Sequence, residues 1–205
     1  EYLFSALDGD VVALNEPKRV KCGAPDFIIN QGDIVIGHVE AKDLHIGLRS
    51  MKDANKNQQE RYRKALSNLI YTNCLDWDFY RDGEIYASVT IADLVMGIQP
   101  LPEKFDQFRN LLLDFIAQRP QTITSPKNLA ERMAGKAVLI KDVLANTLRE
   151  DVDMRTELAA QFQGFKENLI HDITPEDFAD IYAETIAYGM FAARLHDTTL
   201  DTFSR

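Results

Sequence analysis

The sequence predicts an α/β protein: a mixed β-sheet flanked by helices over residues 1–100, then an all-helical segment over 101–205. Three observations carry this expectation. Short β-branched apolar runs alternate with turn signals through the first hundred residues. After Pro100-Leu101-Pro102 the apolar residues recur only at helical spacing. The composition, 45% hydrophobic and 27% charged with seven prolines and ten glycines, is that of a globular chain and excludes disordered, collagen-like and coiled-coil classes.

Taken in order, Tyr2 to Leu7 reads as the end of a helix stopped by Asp8-Gly9-Asp10. Val11 to Leu14 is a short strand, and Pro25 to Asn30 a second. Gln31-Gly32-Asp33 forms the hairpin turn, with glycine where positive φ is needed. Ile34 to Lys42 is a long β-branched third strand. Asn55 to Ser67 is helical, with Tyr62, Ala65, Leu66 and Leu69 on one side. Leu69–Thr72, Trp77–Tyr80 and Ile85–Ile91 are further strands, the last two joined by Arg81-Asp82-Gly83.

In the helical half, Phe105, Phe108, Leu112, Phe115 and Ile116 follow helical spacing. Ser125-Pro126 starts a helix running to Arg149, with Ser as N-cap and Pro in the first turn. Another spans 155–170. Thr174 caps the last, whose first turn is acidic and whose Ile181, Thr185, Tyr188, Phe191 and Leu195 share a face.

The net charge is −9, yet it is unevenly spread. Residues 1–64 carry ten basic and ten acidic side chains, so the whole deficit lies in the remainder. Lys18, Arg19 and Lys21 form one basic group, and Arg49, Lys52, Lys56, Arg61, Arg63 and Lys64 another. A neutral half with clustered cations can touch a polyanion while the acidic half serves as scaffold. Two cysteines, Cys22 and Cys74, are too few for a disulfide framework or a thiolate zinc site, and suit the cytoplasm. No run is long enough for a membrane helix. The chain starts at Glu1 without an initiator Met or signal segment, as expected of a piece of a longer protein.

The most informative stretch is Pro25-Asp26, followed fourteen residues on by Glu40-Ala41-Lys42. Asp26 opens one hairpin strand, and Glu40 and Lys42 close its neighbour, so all three meet at one end of the ribbon. Alternation puts Glu40 and Lys42 on one face and Ala41 on the other. Asp26, Glu40 and the Ala41 carbonyl make an oxygen site suited to Mg²⁺. Lys42 is placed to stabilise charge on a phosphate or to help deprotonate water. A Glu–Lys surface pair is the ordinary alternative. Against it, the charges end an otherwise apolar strand, where burial is costly without a purpose.

Pro-Asp…Glu-x-Lys resembles the signature of the PD-(D/E)xK nuclease superfamily. The wider string, Asn15-Glu16-Pro17, Gly23-Ala24-Pro25-Asp26-Phe27, Ile36 to Asp43, Gln59-Glu60-Arg61-Tyr62 and Leu69 to Asn73, resembles the nuclease region of large single-chain restriction–modification enzymes. In these an N6-adenine methyltransferase follows. Glu176 to Asp180 and Tyr188 to Arg194 are similar to the helical connector leading into it.

The resemblance implies a restriction-endonuclease-like nuclease domain over 1–100 and a connector over 101–205. It implies double-stranded DNA as substrate, with methyltransferase and target-recognition domains elsewhere in the parent chain, and a role in phage defence. Asp26 and Glu40 carry over as metal ligands, with Mg²⁺ replaceable by Mn²⁺, and Lys42 as the catalytic lysine. Gln58-x-x-x-Tyr62 matches a supporting, DNA-contacting pattern on the next helix, though an amphipathic helix with a core Tyr reads the same. Family members also carry an acidic residue on the first helix, a role for Glu1 or for a residue missing here, with Glu16 a second candidate that better suits a structural place at a strand end. Lys18, Arg19, Lys21, Arg61, Arg63 and Lys64 are candidates for phosphate contacts, which position without specifying sequence.

No glycine-rich cofactor loop or Asn-Pro-Pro-Tyr-type motif occurs, so methylation is not expected of this chain. P-loop and nucleophile-elbow patterns are absent too. The competing reading is a catalytically inactive DNA-binding or protein-interaction scaffold on a nuclease-like fold. Retention of Asp26, Glu40 and Lys42 favours activity.

Overall fold

A computed structural model describes residues 2–15, 24–118, 125–151 and 153–196. The fold is mixed α/β, with a six-stranded sheet flanked by helices and a helical C-terminal region. Helix α1 (Tyr2–Ser5) leads into strands β1 (Val11–Asn15), β2 (Phe27–Gln31) and β3 (Ile34–Ala41). Helix α2 (Asp53–Ala65) is followed by β4 (Asn68–Thr72), β5 (Asp76–Arg81) and β6 (Glu84–Thr90).

The six strands lie side by side in chain order. Every pairing is antiparallel except β3–β4, which is parallel and bridged by α2. A parallel pair cannot be closed by a hairpin, and the helix is the crossover that makes it possible. Strand β4 is buried at all five positions, as a central strand covered on both faces must be.

Both predicted hairpin turns form. Gly32 has φ 58°, and the Asp82-Gly83 pair has φ 51° and 87°, the left-handed pair that a two-residue turn with matching twist requires. Between them the chain carries a β-bulge. Ile29 pairs with Gly37 but Asn30 pairs with Val35, so Ile36 is the extra residue in β3. The Asn68 side-chain amide donates to the Ile36 carbonyl at 2.8 Å and to that of Phe115 at 3.0 Å, satisfying the irregular backbone. The bulge shifts the alternation, so Ile36 is buried and Ile34 and Val35 are exposed, while Glu40 and Val39 remain buried on opposite faces.

One face of the sheet packs Ile29, Val39, Ile70, Phe79 and Val89 against Phe108, Leu112 and Phe115 of α3 (Phe105–Ile116). Trp77 belongs to this layer, its ring 4.7 Å from that of Phe108. The other face carries α2, whose Tyr62 and Ala65 are buried.

A small antiparallel ribbon, β7 (Ala92–Leu94) with β8 (Ile98–Pro100), follows β6. The sequence reading stops its last strand at Ile91 and does not anticipate this ribbon, because three-residue strands are too short to show alternation.

By internal packing the described chain forms two units, one up to Arg132 and one from Met133. In the second, α4 (Pro126–Glu150) contributes Leu148, α5 (Glu157–Asn168) Phe162, and α6 (Pro175–His196) Phe178 to one core. The cap expected at α6 forms, and α5 has one that the sequence reading does not anticipate. Thr156 Oγ1 accepts from the Ala159 amide at 3.2 Å, and Thr174 Oγ1 accepts from the Asp177 amide at 3.1 Å. Helix α6 buries Phe178, Ala179 and Ala183. Its Ile181, Tyr188, Phe191 and Leu195 are exposed, so the stripe seen in the sequence is a separate face from the packed one. Among the described residues no helix is long and apolar enough to cross a membrane.

Candidate metal-binding site

The hairpin brings Asp26, Ala41, Glu40 and Lys42 to one end of β2–β3. Asp26 sits just before β2, and its Oδ2 accepts the Ala41 main-chain N–H at 2.7 Å. That bond fastens the entry of one strand to the exit of the other. Glu40 lies on the α2 face, directly beside Tyr71 in the parallel register, with its side chain only 4% exposed. The Lys42 main-chain N–H continues the pairing by donating to the Thr72 carbonyl at 2.7 Å.

Lys42 is held from two sides. Its Nζ donates to Glu40 Oε1 at 2.6 Å and to Gln58 Oε1 at 2.5 Å. Gln58 Nε2 in turn donates to the Tyr62 hydroxyl at 3.3 Å. Residues 58 and 62 are one helical turn apart, so both project from α2 toward the sheet. The ammonium also stands 5.9 Å from the centre of the Tyr71 ring. Lys42 is 10% exposed, which is dry for an ammonium and explains why both partners are needed.

Burial pushes the Glu40 carboxyl above its ordinary value. Its contact with the Lys42 ammonium pulls it back, the neighbouring Asp26 charge raises it again, and the Asp26 amide lowers it. The Asp26 charge thus reaches Glu40, and the two carboxylates lie in one field. Tyr62 and Tyr71 are pushed well up, first by burial and then by the Glu40 charge. At neutral pH both remain protonated and uncharged. Tyr71 is the participant that the sequence reading does not single out, because its place beside Glu40 depends on the parallel register of β3 and β4.

The arrangement fits a hard cation. Glu40 Oε2 is buried and has no hydrogen-bond partner, a costly state that an oxygen-seeking ion would relieve. Asp26 stands next to it, and with the Ala41 carbonyl the donor set would be all oxygen, two carboxylates and a carbonyl. Among the described residues no group of three His, Cys, Asp or Glu side chains is placed to hold a metal, so the protein ligands would be few and water would supply the rest.

The remaining candidates are dispersed. Arg63 Nε donates to the Gly83 carbonyl at 2.7 Å, and its guanidinium lies 5.1 Å from the Tyr80 ring centre. It braces the β5–β6 turn against α2. Arg61 is half-buried on the same helix, whereas Lys64 is exposed. Lys18, Arg19, Lys21, Glu1 and Glu16 lie outside the described residues.

No family model matches this chain, and no curated protein matches it. Among solved structures it is similar to a chain of a DrdV–DNA complex determined by cryo-electron microscopy, at 17% identity and a TM-score of 0.42. The match covers 94% of this chain and 18% of that one, so this chain spans less than a fifth of its neighbour's length.

Proposed function

We propose that the chain is a metal-dependent deoxyribonuclease domain acting on double-stranded DNA. The observation that supports this best is the buried Glu40–Lys42–Gln58 contact beside Asp26, with Glu40 Oε2 left unpartnered. A buried carboxylate with a vacant oxygen, a like-charged neighbour and an immobilised ammonium is an expensive combination, and a merely structural ion pair needs neither the vacant oxygen nor the like-charged neighbour.

Asp26, Glu40 and the Ala41 carbonyl would hold Mg²⁺, or Mn²⁺ in its place. The ion, when bound, supplies a Lewis acid for the phosphate and lowers the pKa of a water. The chain's own residues do the rest. Lys42 Nζ has three protons and two acceptors here, leaving one N–H for a phosphate oxygen. Gln58 and Tyr62 keep that ammonium aimed, and Asp26 holds the strand ends in register. In the hydrolysis a water oxygen bonds to phosphorus as the P–O3′ bond breaks, leaving a 5′-phosphate. Arg61 and Lys64 of α2 would contact the DNA backbone, and Lys18, Arg19 and Lys21 are further candidates by their charge alone. On the sequence strings that accompany the site, the parent protein is a restriction–modification enzyme in which a helical connector joins this domain to an N6-adenine methyltransferase.

Direct metal binding tests the reading without requiring the chain to cleave alone. Mn²⁺ titrated into the full chain and followed by electron paramagnetic resonance should bind the wild type. Asp26→Asn with Glu40→Gln should lose that binding, and Lys42→Ala should keep it while losing any nicking of plasmid DNA. Unchanged Mn²⁺ affinity in the double variant would falsify the assignment.

A further inference from the structure

On the same sheet face a cleft lies beside α2, lined in part by its Lys56 and Gln59. Its floor is Asp78 of β5, which neighbours Tyr71, itself the neighbour of Glu40. Two strand spacings, about 10 Å, therefore separate the backbones at Glu40 and Asp78. The cleft has a volume of about 620 Å³ and is lined by Leu48, Arg49, Met51, Lys56, Asp78 and Ser88 among others. That lies within the ~300–1,000 Å³ typical of small-molecule sites. A smaller recess of about 320 Å³ adjoins it and shares Arg49, Asp78 and Ser88.

Asp78 is what requires explanation. Its side chain is 4% exposed. Oδ1 accepts from Ser88 Oγ at 2.6 Å, but Oδ2 is buried with no hydrogen-bond partner. Arg49 stands 3.9 Å from Oδ1 with its side chain 77% exposed, at the mouth of the cleft. A buried carboxylate oxygen is not left vacant without cost. A hard cation is a poor occupant. The neighbouring Asp76 already accepts from Thr90 Oγ1 at 2.6 Å, so one free oxygen remains where such an ion wants about six, and a guanidinium stands beside it. What the cleft offers is a vacant carboxylate oxygen of Asp78, the polar side chains of Gln59, Tyr80 and Ser88, apolar lining from Leu48 and Met51, and two cations, Arg49 and Lys56.

We propose that this cleft is a nucleotide-binding site for a base bearing an exocyclic amino group, cytosine foremost. The amino group donates to Asp78 Oδ2, the pairing that carboxylates make with cytosine N4. The ring lies between Leu48 and Met51, and the phosphate meets Arg49 and Lys56. Thymine presents a carbonyl oxygen at the same position, which the carboxylate repels. The nucleotide is either free or part of a DNA strand. The cleft is independent of the metal site, and it stands or falls separately from the nuclease reading.

The test is calorimetric titration of the full chain with dCMP and dTMP, and with the oligonucleotides (dC)6 and (dT)6. The expected result is a preference for the cytosine ligand of about tenfold, the worth of one charge-assisted hydrogen bond. Asp78→Asn, whose amide serves donor and acceptor alike, should erase the preference. Arg49→Ala, altering an exposed side chain that the fold does not need, should weaken both ligands severalfold. Glu40→Gln should leave dCMP binding unchanged. Binding of dCMP assigns a free nucleotide, and binding of (dC)6 alone with the same Asp78 dependence assigns a strand. Equal affinity for the cytosine and thymine ligands, no binding of either cytosine ligand, or indifference to both cleft variants overturns the proposal.

Discussion

Replacing Lys42 with Met removes the ammonium that Glu40 and Gln58 share, and the consequence for stability can be worked out from the burial of Glu40. With its partner gone, the carboxylate at 4% exposure has no counter-ion. Breaking a buried pair from one side costs about 3–5 kcal/mol. Protonation sets a ceiling, because Glu40 can take up a proton instead of staying charged. From the ordinary value of 4.5, that ceiling is about 4 kcal/mol at pH 7.5 and about 1.4 kcal/mol at pH 5.5.

The sign follows from the direction of the shift. Glu40 already titrates above 4.5 in the folded protein, so the folded state binds the extra proton and stability falls as pH rises from 4.5 through the folded value. Losing Lys42 moves the folded value higher still and widens that window upward. Urea unfolding of wild type, Lys42→Met, Glu40→Gln and the double variant, at pH 5.5 and 7.5, measures this. The Lys42→Met deficit should grow with pH, and the double variant should regain most of it, giving a coupling of at least about 1 kcal/mol at pH 7.5. A pH-independent deficit, or additive single effects, would refute the buried pair.

Three further outcomes are expected. Asp26→Asn removes a like charge beside Glu40, so the Glu40 carboxyl should move down toward 4.5 in a ¹³C NMR titration, and a rise would contradict the shared field. Gly37→Ala would put a methyl 2.3 Å from Phe115 Cζ and 2.9 Å from Cε1, costing about 1–3 kcal/mol in urea. Phe115→Leu should recover part of that loss, and a wild-type midpoint for Gly37→Ala alone would disprove the close packing of β3 on α3. Phe178→Ala should cost the helical unit about 3–5 kcal/mol by thermal melting, since the ring is 1% exposed among Phe162, Phe165 and Tyr182.

Most of the sheet was legible because its signals are local. Gly32 and Asp82-Gly83 mark turns by backbone chemistry, and the β-branched run from Ile34 marks a strand by side-chain shape. The site was half legible. Asp26, Glu40 and Lys42 converge because one short turn fixes the register of their hairpin. Tyr71 and the Asp78 cleft were not legible, because each depends on which strand lies beside which. The helical stripe Ile181–Leu195 shows the limit of periodicity, which finds a face without saying what covers it.

By itself, then, the sequence determined the strand and helix types, both glycine turns, the cap at Thr174, and the acidic pair with its lysine. Only the tertiary structure decided that β4 enters parallel to β3, that Ile36 bulges, and that Gln58 reaches Lys42. The physical reason is range. Turn and cap chemistry act within four residues, whereas a parallel register and a helix laid across a sheet are set by burying both faces of β4 at once, a condition that no local stretch of chain contains.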